Sequence, residues 1–134
     1  MPLGGGTGMI GLPGDYTPPS RFVRAVAFAK SARPTATGAE TIYETFRILD
    51  SFNVPLGAAE GEESKTKTEG MRSSTIWTTA YDTKNLVMQY HTMHNRRVRQ
   101  VDLKKVDFSG SKELIRTPLD RDKVQDIEDM TPRQ

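Results

Sequence analysis

Apolar side chains recur three and four residues apart from Pro18 to Ala32 and again from Thr37 to Phe52, and from Ser73 they alternate with polar ones. The order predicted is helix, helix, strand, strand, strand. Gly11, Pro13 and Gly14 punctuate a loop, the Thr17 hydroxyl is placed to cap the first helix, and Pro18 and Pro19 suit a first turn whose N–H groups lack partners. That helix should start near Pro18. Pro34 breaks the pattern, Thr37 with Glu40 forms a capping box, and Ile42, Phe46 and Leu49 make the apolar stripe of the second helix, with Tyr43 and Phe52 at its margins. Asn53, Pro55 and Gly57 end it.

Ala58 to Gly70 has no large apolar residue and reads as an exposed loop without a site; its Glu60, Glu62, Glu63, Lys65 and Lys67 read as a solvated charge run. Ser73 to Tyr81 reads as a strand with Ile76, Thr78 and Ala80 on one side and Trp77, Thr79 and Tyr81 on the other. Asp82 to Asn85 supplies a turn, Leu86 to Met93 returns as a second strand, His94 and Asn95 reverse the chain, and Arg96 to Leu103 forms a third. Ile76, Leu86 and Met88 are expected on a sheet face that meets a second sheet. Beyond Phe108 large apolar groups are sparse, so residues 1–108 read as one incomplete domain and residues 109–134 as a charged tail, ordered only where a neighbouring segment holds it.

With 134 residues and 35% hydrophobic content, one small core is available. A net charge of +2 does not point to nucleic acid, and Arg96, Arg97 and Arg99 without interleaved aromatics read as a charged edge. The absence of cysteine removes disulfides, thiolate metal sites and a thiol nucleophile from these residues. His91 and His94 point to different faces of a strand end, so no metal is expected, and no cofactor either. The glycines from Gly4 to Gly8 lack both a preceding strand and a following Gly-Lys-Ser/Thr, which argues against a nucleotide loop. No apolar run approaches the ~18 residues of a membrane span, no membrane partner is expected, and any export signal is expected upstream of Met1.

The candidate chemistry lies at the start of the first helix. At about 100° per residue, Arg21 falls in line with Ala25, Phe28 and Ala32, so it is expected along a small apolar face, while Arg24 lies beside Ser31. A desolvated arginine near the positive end of a helix dipole needs an acceptor. Asp15 is the nearest, and an Arg21–Asp15 pair closing the turn is the plain structural alternative to a catalytic arginine.

The run GLPGDYTPPSRFVRA resembles the signature of the choloylglycine hydrolase family, the bile salt hydrolases and penicillin V acylases, and is nearest its Gram-negative type. FRILDSFNVPLGA and STIWTTAYDTKNLVMQYHTMHNRRVRQVDL continue the resemblance, which covers most of the chain but only the C-terminal portion of proteins roughly twice as long. The fold it implies is α+β, the C-terminal portion of an αββα N-terminal nucleophile hydrolase sandwich. The activity implied is hydrolysis of a linear amide in penicillin V, conjugated bile salts or N-acyl homoserine lactones. An N-terminal cysteine attacks, its own amine acts as base, and Arg21 matches the arginine near the nucleophile, which makes it the catalytic residue this chain contributes. Arg24 matches the second arginine of the motif, with a structural role. The resemblance also implies a small-molecule amide as partner, a homo-oligomer, a tetramer when complete, and a periplasmic location if the Gram-negative members are the guide, a cytoplasmic one otherwise. Without the nucleophile the chain alone is expected to be inactive. The alternative is a non-catalytic oligomerisation or ligand-binding module derived from the same fold.

Overall fold

A computed structural model of the chain describes residues 9–59, 74–110 and 114–132. The glycine run at Gly4 to Gly8 and most of the Ala58 to Gly70 loop lie outside those residues. Two compact units divide the chain, Met1–Ser74 and Thr75–Gln134.

The first unit holds α1, Pro18–Ser31, and α2, Gly38–Asp50. Helix α1 begins where the prolines place it and closes with the Ala32 N–H on the Phe28 carbonyl at 2.9 Å. Thr17, however, gives α1 no side-chain cap. Its hydroxyl is turned back to donate to Asp15, which is the stronger acceptor two residues away. At α2 the predicted capping box is complete: the Glu40 N–H donates to Thr37 Oγ1 at 3.2 Å, and the Thr37 N–H donates to Glu40 Oε2 at 3.2 Å. Phe46 is buried and Ile42 and Leu49 half-buried, as the stripe requires; burying a phenylalanine stabilises by about 2 kcal/mol. Phe28 meets Phe52 edge to face, with ring centroids 6.4 Å apart.

The second unit is an antiparallel meander of β1, Trp77–Asp82, β2, Val87–Thr92, and β3, Arg99–Asp102, in that order across the sheet. Pairing of Thr79 with Tyr90 and of Tyr90 with Arg99 puts Trp77, Thr79, Tyr81, Met88, Tyr90, Thr92, Arg99 and Val101 on one face. Thr78, Ala80, Gln89, His91 and Gln100 share the other. Met88 therefore lies with Trp77 and Tyr81, and not on the face of Ile76 as expected; Leu86 belongs to the turn, where it takes a φ of 59°. The cause is the turn itself. The Asp82 carboxylate accepts from the Asn85 N–H at 2.9 Å and from Asn85 Nδ2 at 2.7 Å, which holds four residues in the reversal and starts β2 at Val87. The third strand is shorter than the span read from sequence, because Thr92 to Asn95 turns on itself and Leu103–Lys105 winds into a single 3-10 turn.

Ala80, Tyr90, His91 and Thr92 form the buried centre of this unit. Residues 114–132 contain no helix or strand, yet they are tied to the sheet: Tyr90 Oη donates to the Leu119 carbonyl at 3.1 Å, and Thr92 Oγ1 donates to Asp120 Oδ1 at 2.7 Å.

Candidate active site

Sequence places a loop without regular partners ahead of α1, and the structure shows how its polar groups are met. Gly11 has a φ of 83°, a conformation a side chain would strain, and the Leu12 N–H turns back to the Met9 carbonyl at 3.2 Å. Asp15 then gathers the first turn. It accepts from the Thr17 N–H at 2.9 Å, from the Thr17 hydroxyl, and from Ser20 Oγ at 2.6 Å. These donors favour the charged form, and the hydrogen bond from Ser20, with those from Thr17, lowers the Asp15 carboxyl from an ordinary 3.8 to about 2.

The Asp15 carboxylate is thus occupied by Ser20 and Thr17, and the Arg21–Asp15 pair is not formed. The arginine that meets the loop is Arg24. Its side chain is buried, with one terminal nitrogen donating to the Pro13 carbonyl at 2.8 Å and to the Asp15 carbonyl at 2.7 Å, and its Cζ 5.4 Å from the centre of the Phe52 ring. Its Nε and other terminal nitrogen have no hydrogen-bond partner among the described residues. The buried stripe of α1 consequently runs through Ser20 and Arg24, with Ala27 and Phe28 half-buried.

The helical wheel places Arg21 on the inward face; in the structure it is exposed. Small alanines beside it give an apolar average, but the loop carbonyls of Pro13 and Asp15 need donors, and that need rotates Arg24 inward. Arg21 instead stands beside a shallow cavity of about 440 Å³ lined by Pro18, Phe22, Ala25, Leu49 and Phe52. Its guanidinium makes no hydrogen bond or ion pair among the described residues, so it is available to an anion or a carbonyl oxygen. The two arginines of the site therefore differ in role. Arg24 fixes the loop, and Arg21 presents a cation, free of partners among the described residues, at the rim of an apolar hollow.

Two features go beyond the helix and strand patterns of the sequence. The Asp15–Thr17–Ser20 knot is visible in principle as an aspartate two residues before a threonine; the same Asp-x-Ser/Thr pattern forms carboxylate-centred turns at Asp107 with Ser109 and at Asp129 with Thr131. The contact of Asp120 with Thr92 and Arg99 joins residues far apart in sequence and has no local signal.

Two helices followed by a three-stranded antiparallel sheet, with a cation at the start of the first helix, form the C-terminal portion of an N-terminal nucleophile hydrolase fold. Comparison with solved structures agrees. A crystal structure of a cysteine-to-alanine mutant of the conjugated bile acid hydrolase from Clostridium perfringens matches 96% of this chain and 36% of its own, with a TM-score of 0.66 and 27% sequence identity. An arginine-to-leucine variant of that protein gives a TM-score of 0.67 at 28% identity, over 96% of this chain and 37% of its own. In sequence, the bile salt hydrolase/transferase of C. perfringens is 32% identical over 110 residues, 81% of this chain and 31% of that protein. The bile salt hydrolase/transferase of Lactiplantibacillus plantarum is 32% identical over 114 residues, 85% of this chain and 33% of its own length. The model of the linear amide C–N hydrolases, choloylglycine hydrolase family, matches residues 1–117, and the chain belongs to that family. It spans about a third of the length of the curated relatives it matches, less than the half implied by the sequence resemblance.

Proposed function

We propose that this chain supplies the arginine-bearing helix of a linear amide hydrolase whose substrates are penicillin V, conjugated bile salts or N-acyl homoserine lactones. The observation that carries the reading is the exposed Arg21 guanidinium, unpaired among the described residues, beside the hollow of Pro18, Phe22, Ala25, Leu49 and Phe52, within a motif matched by the family model. In the reaction, a cysteine thiolate attacks the amide carbonyl carbon, the C–N bond breaks, and the amine leaves with a proton. Water then hydrolyses the thioester and frees the acid. Arg21 would act through its fixed charge, favouring the thiolate and stabilising the oxyanion as it develops. The apolar lining suits the phenoxy, steroid or acyl part of such amides. The 134 residues contain no cysteine, so the chain alone should form no acyl-enzyme.

The test uses the purified chain and a chimera in which residues 9–117 replace the matching third of the C. perfringens relative. The chain alone should leave penicillin V and glycodeoxycholate intact, and the chimera should hydrolyse at least one. A folded chimera that binds these amides without cleaving them would support the non-catalytic module instead.

A further inference from the structure

The segment after Thr117 lies beyond the residues matched by the family model, and it meets the buried centre of the sheet at two neighbouring residues, Leu119 and Asp120. Asp120 Oδ1 accepts from Thr92 Oγ1 on β2 at 2.7 Å and from Arg99 on β3 at 2.7 Å; the Asp120 side chain is 9% exposed and that of Arg99 25%. Arg99 is held in turn over the Tyr90 ring, its Cζ 5.0 Å from the centroid, and it donates to Thr92 Oγ1 at 3.2 Å. Beside Asp120, Tyr90 Oη donates to the Leu119 carbonyl at 3.1 Å, a neutral hydrogen bond, and the remaining ties are outlying. Arg97 pairs with Asp126 where both are well exposed, and the Arg96 N–H donates to Gln125 Oε1 at 3.0 Å. Between this segment and the strands lies a cavity of about 630 Å³, with Tyr90, Arg99 and Val101 on the sheet side and Leu119, Val124 and Gln125 on the other.

From this geometry we propose that residues 118–126 form a releasable strap, clamped to the sheet by the charge of Asp120, and that the strap gates the cavity beneath it. An exposed ion pair such as Arg97–Asp126 contributes little, whereas a carboxylate withdrawn from water and shared between a hydroxyl and a guanidinium outweighs the neutral Tyr90–Leu119 hydrogen bond beside it. With that charge removed, Arg99 keeps its place on Tyr90 and the sheet keeps its ladder, so strap and sheet separate without unfolding the sheet. The charged and titratable groups facing Asp120 are Arg99 from β3 and His94 from the loop after β2; with the Thr92 hydrogen bond as the largest influence, the surroundings hold its carboxyl below the ordinary range. The strap therefore stays closed at neutral pH.

Hydrogen exchange on the full chain at neutral pH tests the proposal. In Asp120→Ala, the Arg96 amide, whose acceptor is Gln125 on the strap, should exchange at least tenfold faster, while the amides of β1 and β2 keep their protection. Asp126→Ala should leave the Arg96 rate within twofold of the unaltered chain. An unchanged Arg96 rate in Asp120→Ala would overturn the proposal. So would equal acceleration in Asp126→Ala, or loss of β1 and β2 protection together with Arg96, which would make Asp120 part of the sheet's own core.

Discussion

Replacing Arg24 by Met should unfold the first unit far more readily than replacing Arg21 by Leu, although the two arginines lie one helical turn apart. Arg24 makes two hydrogen bonds to loop carbonyls and a cation–π contact with Phe52, all from a buried side chain. Hydrogen bonds from a charged group contribute about 1.5 kcal/mol each and the ring contact about 1 kcal/mol. Against this, Met relieves the desolvation of a guanidinium with two unpartnered nitrogens, fills much of the same volume, and recovers on the order of 1 to 2 kcal/mol. The net loss is about 2 to 3 kcal/mol, which for a unit of this size lowers the melting temperature by roughly 10 °C or more. Arg21, exposed and unpaired among the described residues, should change stability by no more than about 0.5 kcal/mol. Thermal unfolding of both variants by far-UV circular dichroism makes the comparison. If Arg21→Leu melts lower than Arg24→Met, or if Arg24→Met melts with the unaltered chain, the assignment of loop fixation to Arg24 fails.

Acid should act on the same loop. Because the folded-state pKa of Asp15 is lowered from 3.8 to about 2, its contribution is fully present above 3.8 and fades as the pH falls from 3.8 towards 2; the stability gap between the unaltered chain and Asp15→Asn should close across that window. Leu86 holds a φ of 59°, so Leu86→Gly should stabilise by about 0.5 kcal/mol and Leu86→Val destabilise by more than about 1 kcal/mol, read from denaturant midpoints. Thr37→Ala should cost about 1 kcal/mol by removing half of the capping box, with Thr37→Ser restoring most of it.

Elements with local causes are legible in the residues themselves. The prolines set the start of α1, the Thr37 and Glu40 pair sets that of α2, and alternation from Trp77 to Tyr81 marks β1. Where tertiary demand overrides a local average, sequence pattern misleads. A helical wheel counts alanines as apolar and turns Arg21 inward, but it does not know that Pro13 and Asp15 present carbonyls to the other flank of the helix. Likewise, alternation alone puts Ile76 with Met88, because the number of residues held in the Asp82 turn decides which face β2 shows to β1. The strap is unreadable for a related reason: nothing near Asp120 announces a threonine and an arginine more than twenty residues earlier.

The rate of the chemical step in the chimera tests most directly whether Arg21 serves catalysis. With residues 9–117 in place of the matching third of the C. perfringens relative, Arg21→Leu should lower kcat about a hundredfold, since removing a charge beside a developing oxyanion costs on the order of 3 kcal/mol. The melting temperature should stay within a few degrees, and Arg24→Met should show the opposite pattern, a lowered melt with kcat largely kept in the fraction that remains folded. An Arg21→Leu chimera that turns over at the unaltered rate, or that loses activity only in step with its fold, would contradict the account.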